Sequence, residues 1–173
     1  MGTRRKAILV ALIVVGALTL FMCVGATGAT QPPQQGVSVS ATINATLELT
    51  MSTTSVTWNG ATAIPGTTVT APITATINSN KPYALTVTQD RLLTGTGTPQ
   101  PTIASGNFTF GATIPTGGTY NAPAGTEFGT ATRVIEGARG SGLSTTITYS
   151  LTVPWDQTPD TYTATHTYTA TQP

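Results

Sequence analysis

Cysteine is almost absent. Cys23 is the only one in 173 residues. A chain cut after its N-terminal apolar stretch would carry none. That excludes a disulfide framework, a thiolate metal site and a cysteine nucleophile. Histidine is as scarce, and His166 standing alone excludes a multi-histidine metal centre. Charged residues make up only 8% of the chain. After loss of Arg4, Arg5 and Lys6, the bases Lys81, Arg91, Arg133 and Arg139 face six acids. So slight a negative excess argues against nucleic acid and anionic membrane surfaces as partners. Beyond the N-terminus no segment has helical periodicity of useful length, and there is no strict internal repeat. A Gly-x-Ser-x-Gly elbow is missing. So is a glycine-rich loop opening a helix, since Gly137 to Gly142 falls between strands.

What the chain does have is alternation. Val37, Val39, Ala41, Ile43, Ala45, Leu47, Leu49 and Met51 occupy every second position, with serine, threonine, asparagine and Glu48 between them. The pattern returns over 69–77, 147–155 and 162–170. A strand points successive side chains to opposite faces, so this period marks half-buried β-strands. Threonine, β-branched, suits the solvent face of such strands. The expected fold is all-β, an immunoglobulin-like antiparallel β-sandwich of seven to eight strands.

The N-terminus reads as a targeting segment. Arg4, Arg5 and Lys6 precede an apolar stretch over 7–26, followed by the small residues Val24-Gly25-Ala26 and Thr27-Gly28-Ala29. That is the plan of a secretory signal, with cleavage after Ala26 or Ala29 fitting equally well. The stretch is also close to the ~20 residues that span a bilayer, so an uncleaved N-terminal helical anchor is the alternative. Leu20-Phe21-Met22 before Cys23 departs from a lipobox, and Cys23 reads as a small apolar residue. The organisation is therefore a signal or anchor over 1–29, a polar linker over 30–36 and a β-sandwich domain over 37–173. Export to the cell surface or medium follows.

Along the domain, a first long strand is expected over 37–51 and a short one over 55–58, closed by Asn59-Gly60. Another is expected over 67–77, where Pro72 implies an edge or a bulge. Strands follow at Tyr83, Leu85 and Val87, at Phe108 and Phe110, and over 128–135, 143–153 and 162–170. Residues 93–100 and 111–125 read as loops.

Candidate chemistry is thin. His166 alternates with Tyr162, Ala164, Tyr168 and Ala170 on the apolar face, where a structural role outweighs a Ser-His-Asp site. Asp156 and Asp160 flank a proline turn, which they suit as turn formers, with calcium ligation as the other reading. Glu127, Glu136 and Asp156 would need a defined separation across a cleft to act as glycosidase acids. Trp58, Trp155 and Tyr120 offer aromatic surface that more often packs in a core or rim. Tyr120 and Trp155 are the candidate ligand contacts, Tyr120 because loops carry binding residues. Asn44-Ala45-Thr46 and Asn107-Phe108-Thr109 match the glycosylation sequon. No catalytic residue, metal ligand or cofactor is expected.

The run from Thr158 to Thr165, Thr-Pro-Asp-Thr-Tyr-Thr-Ala-Thr, resembles the Pro-(x)-Gly-x-Tyr-x-Ala approach to the last strand of many bacterial extracellular immunoglobulin-like domains. Asp160 stands where glycine is usual. The run from Val37 to Ile43 is similar to the opening of spore coat protein U-like and fimbrial-type surface domains. The resemblance covers the first and last strands, and the cysteines many such proteins carry are absent. It implies a secreted sandwich that builds surface appendages or coats. The expected function is non-enzymatic and structural or adhesive. Expected partners are cell-surface proteins or further copies of the chain, with membrane contact only through an uncleaved N-terminus. The alternative is a monomeric carbohydrate-binding or other extracellular binding module, with polysaccharide as the candidate ligand.

Overall fold

The structure, a computed structural model, describes Gln35 and residues 37–173. The signal or anchor and nearly all of the linker lie outside these residues. The chain divides into two units, Met1–Ala41 and Thr42–Pro173. In the first, residues 37–41 are exposed and form no strand. The second is all-β and holds nine strands among the described residues: β1 (Leu47–Met51), β2 (Thr68–Ser79), β3 (Tyr83–Gln89), β4 (Phe108–Ala112), β5 (Gly118–Asn121), β6 (Thr126–Glu127), β7 (Thr132–Gly137), β8 (Gly140–Thr152) and β9 (His166–Thr171).

Two antiparallel sheets share one core. The first has the order β1-β2-β8-β4-β6, the second β5-β7-β3-β9. From β2 onward every successive strand changes sheet. Alternation explains what each strand buries. On β2, Ile73, Ala75 and Ile77 point into the core, at 5%, 0% and 0% exposure. Their neighbours Thr74 and Thr76 stay at the surface layer, where the Thr76 hydroxyl lies 3.1 Å from that of Ser144 on β8. Leu85 and Val87 of β3, Phe110 of β4 and Ile147 of β8 complete a dry centre. Asn78 seals the β2 bulge: its Oδ1 accepts from the Gly142 N–H at 2.7 Å and its Nδ2 donates to Glu48 at 3.1 Å.

Four expectations need correction. The strand expected over 37–51 exists only as Leu47–Met51. Val37, Val39 and Ile43 are 86%, 90% and 86% exposed. Alternation there has no sheet to bury its apolar face. The loop expected over 111–125 contains β5, which pairs with β7 through Tyr120 and Asn121. Long-range pairing overrides its glycine-rich composition. The strand expected over 128–135 begins instead at Thr132, because Phe128 turns into the core at 6% exposure and leaves the ladder. No strand forms over 55–58.

Pro72 sits in the middle of β2, opposite Thr148 of β8. Thr74, two residues on, turns its backbone toward Ser52, accepting the Ser52 N–H at 2.8 Å and donating to its hydroxyl at 2.9 Å. Residues two apart share a hydrogen-bonding direction. The nitrogen of Pro72 therefore faces the same side, beyond the last β1 residue, where no strand pairs among the described residues. A proline is tolerated at such an edge because no ladder bond is lost.

Candidate functional site

The two long sides of this core are closed differently. On one side the chain passes directly from β5 in one sheet to β6 in the other, and the fully buried Ala122 bridges the gap, donating its N–H to the Val134 carbonyl of β7 at 2.7 Å and accepting the Ala112 N–H of β4 at 2.9 Å. The other side lies between β1 and β9, the end strands of the two sheets. There the inward-facing residues are only half-buried: Leu47, Leu49 and Met51 on β1, and His166, Tyr168 and Ala170 on β9, with Tyr162 and Ala164 just before it. At one end the two edges are tied together. Gln172 donates to the Thr46 carbonyl at 2.8 Å and to the Ser79 hydroxyl at 2.9 Å. Past Met51 they part and leave a cavity of about 1260 Å³. Its walls include Met51, Trp58, Leu93, Leu151, Tyr162 and Tyr168.

Among the described residues, the outward backbone of the β9 rim has no partner. Thr163 exchanges hydrogen bonds with Thr94, and the Thr165 carbonyl accepts from the Asp90 N–H at 3.0 Å. Thr167, Thr169 and Thr171 continue opposite β3. The odd-numbered threonines thus use their backbone inward along the sheet. The N–H and C=O groups of Tyr162, Ala164, His166, Tyr168 and Ala170 point the other way, to the open edge.

An aromatic cluster forms the floor. The His166 ring stacks on Phe128 at 4.0 Å between centroids, and on Tyr149 and Phe108 at 5.4 and 5.5 Å. Its Nδ1 lies 3.0 Å from the Tyr149 hydroxyl, which lies 2.9 Å from that of Tyr168. Burial pulls the His166 pKa down to about 4 against a weak opposing pull from the Asp90 charge. The imidazole is therefore neutral at pH 7. Burial raises the pKa of Tyr149 and Tyr168, so both hydroxyls stay protonated. Trp58 crosses edge-on above Phe108 at 6.1 Å. The Trp58 Nε1 and His166 Nε2 atoms are buried without a partner among the described residues. Apolar walls with a few convergent polar atoms are the usual make-up of a binding site.

The other sequence candidates fall elsewhere. Tyr120 is on β5 at the closed side, with the Arg133 guanidinium 5.3 Å from its ring. Arg133 also pairs with Glu136 at 3.2 Å. Trp155 is 81% exposed and lies against Gly66, whose φ of +79° a side chain would strain. Tyr120 and Trp155 are thus not part of the groove. Asp160 is on its rim, but its carboxylate is spent on the protein. It accepts from the Thr96 hydroxyl at 2.8 Å and from the N–H groups of Gly97 and Thr161 at 2.7 Å each. Those bonds, the Gly97 N–H first, hold its pKa below the usual carboxylate range. No group of three or more potential metal-binding side chains gathers among the described residues. The groove itself was missed by sequence reasoning. Its one sequence signal was the aromatic content of the face that carries Tyr162, His166 and Tyr168.

No protein-family model matches the chain, and no curated protein does. Among solved structures it is similar to a family 123 glycoside hydrolase from Clostridium perfringens, described for glycolipid glycan hydrolysis. The identity is 14% over 73% of this chain, with a TM-score of 0.45. The chain spans about a quarter of that protein's length, matching 25% of it.

Proposed function

We propose that the chain is an exported, non-enzymatic protein of the cell surface. It is an immunoglobulin-like β-sandwich whose open side receives an extended apolar strand, in a structural or adhesive role. The half-burial of the inward residues on β1 and β9 carries this reading. In an isolated domain those side chains keep part of their apolar area in water, and completing their burial contributes ~25 cal/mol per Å². Free N–H and C=O groups on the β9 edge supply the hydrogen bonds of strand addition, and the alternate pockets supply register. A neutral histidine held by ring stacking and a tyrosine hydroxyl suits packing better than proton transfer.

The test is a titration of the Trp155→Phe protein, which leaves Trp58 as its one tryptophan, with a synthetic peptide of alternating valine and threonine. A blue shift of Trp58 emission and a raised thermal midpoint are expected. An unchanged spectrum and midpoint, beside a scrambled control, would sink the proposal.

A second reading is favoured by Trp155, whose indole is backed by Gly66 and otherwise exposed. Such a ring is a platform for a sugar face. On that reading Trp155→Ala lowers retention on polysaccharide without lowering thermal stability. Lost stability with no change in retention would assign the ring to packing.

A further inference from the structure

Two motifs of the chain have no part in the groove. Asn44-Ala45-Thr46 and Asn107-Phe108-Thr109 match the acceptor triplet for N-linked glycosylation, whereas Asn59, Asn78, Asn80 and Asn121 lack the required serine or threonine. In so threonine-rich a chain the triplet alone assigns nothing, but the structure places the two very differently. Resting on the exported reading and not on the groove, we propose that Asn44 carries an N-linked glycan and that Asn107 does not.

The Asn44 triplet is presented to solvent. Asn44, Ala45 and Thr46 are all exposed and lie just before β1. They are held through the backbone alone. The Asn80 side chain donates to the Asn44 carbonyl at 2.7 Å and accepts the Thr46 N–H at 2.9 Å, and Gln172 donates to the Thr46 carbonyl at 2.8 Å. The Asn44 amide group and the Thr46 hydroxyl, which a transferase must engage, make no hydrogen bond among the described residues. The Asn107 triplet is folded away. Asn107 is half-buried and ends the short turn Ser105–Asn107, its N–H donating to the Ala104 carbonyl at 2.9 Å. Phe108 is 5% exposed and packs against Phe128, Tyr149 and His166. Thr109 is paired on β4 with Glu127 and Ser150. To enter an enzyme's cleft, that triplet would have to draw Phe108 out of the core.

The chemistry is a single displacement. The Asn44 Nδ2 attacks the anomeric carbon of a saccharide donor whose leaving group is a lipid-linked diphosphate. The new C–N bond forms as the anomeric C–O bond breaks. The diphosphate leaves with the bonding pair, and one amide proton passes to a base of the transferase. Nothing is oxidised or reduced. An observation independent of the motif shows what the sugar would do. Val37, Val39 and Ile43 are 86%, 90% and 86% exposed, and residues 37–45 contain no charge, glycine or proline. An uncharged, alternating segment with its apolar side chains in water is a template for unwanted strand pairing. In extended form Asn44 shares a face with Ser38, Ser40 and Thr42. A glycan there is bulky and solubilising, and it shields the segment from the side its own side chains leave thinly covered.

The experiment uses the native protein recovered from its own cells and medium. Cleavage after glutamate separates the two triplets, because Glu48 lies between them. By mass spectrometry the fragment ending at Glu48 should be heavier than its sequence by a whole number of sugar residues, whichever N-terminus it carries, with fragmentation placing them on Asn44. The fragment holding Asn107 should carry nothing on that residue. Asn44→Gln and Thr46→Ala, made in the same cells, should each lose the increment completely, and Thr46→Ser should keep it. Both side chains are exposed, so an unchanged circular-dichroism spectrum is expected and shows that the variants fold. The Asn44→Gln protein should also aggregate at a lower concentration by light scattering, and equal scattering would reject the shielding role. An unmodified fragment ending at Glu48, an increment unchanged by Asn44→Gln, or sugar on Asn107 would overturn the proposal. If the unmodified protein is found at the cell surface or in the medium, the glycan is rejected while the exported reading stands. If it is found only in the cytoplasm, both are rejected.

Discussion

At the residue scale, His166 sets the acid response of the fold. Its pKa falls from the ordinary 6.5 to about 4 because the ring is buried among Phe108, Phe128 and Tyr149. The unfolded chain therefore binds a proton that the folded chain refuses between pH 6.5 and 4. Stability is full above 6.5 and declines as pH falls toward 4, below which His166 adds no further slope. His166→Phe keeps the stacking and should flatten that slope in urea melts read at intervals from pH 7 to 4.5. An unchanged slope would show that another group is responsible. Asp90 and Asp160 act lower. Hydrogen bonds to the Thr165 and Gly97 N–H groups depress their pKa values, so their contribution is lost only as pH falls below 3.8. Gly137 makes a different demand. A Cβ there would lie 2.7 Å from the hydroxyl oxygen of Tyr83, a ring with 2% exposure. Gly137→Ala should cost about 1–3 kcal/mol through overpacking, measured as a fall in thermal midpoint.

At the element scale, the segment before β1 is separable from the sheets. Deleting 37–43 removes only exposed, unpaired residues and should change the unfolding free energy by less than about 0.5 kcal/mol. Extending the deletion to Leu49 removes the pairs of Leu47, Glu48 and Leu49 with β2 and should destabilise clearly. Equal midpoints for the two deletions would mean that β1 contributes little. Pro72 guards the open half of β2. Pro72→Val restores an N–H on that edge and should increase self-association without unfolding the protein, seen by light scattering.

The same elements show what the sequence could reveal. The alternation through Ile73, Ala75 and Ile77 and the proline within it located a strand and its edge character, because both are local properties. The alternation through Val37 and Val39 was equally clean, yet no strand forms there. Period two says which face a strand would bury, not whether a partner is present to bury it. The β5 strand was hidden because Gly118 and its neighbours have turn composition and gain their pairing from β7. The groove was hidden for a stronger reason. It depends on β1 and β9 ending different sheets, and every connection from β2 onward changes sheet. Nothing in a strand's own residues encodes that order.

At the scale of the whole molecule, one side of the core is closed where Ala122 bridges β4 and β7, and the other is open between β1 and β9. That asymmetry is the basis of the proposed strand-receiving role. It is tested most directly by amide hydrogen exchange along the last strand, with and without the alternating peptide. In the isolated protein the Thr163, Thr167 and Thr169 amides, which face the neighbouring chain, should be protected. The Ala164, His166 and Tyr168 amides should exchange freely, then become protected once the groove is filled. If those three are already protected without peptide, or stay free at saturating peptide, the open edge does not receive a strand and the account fails.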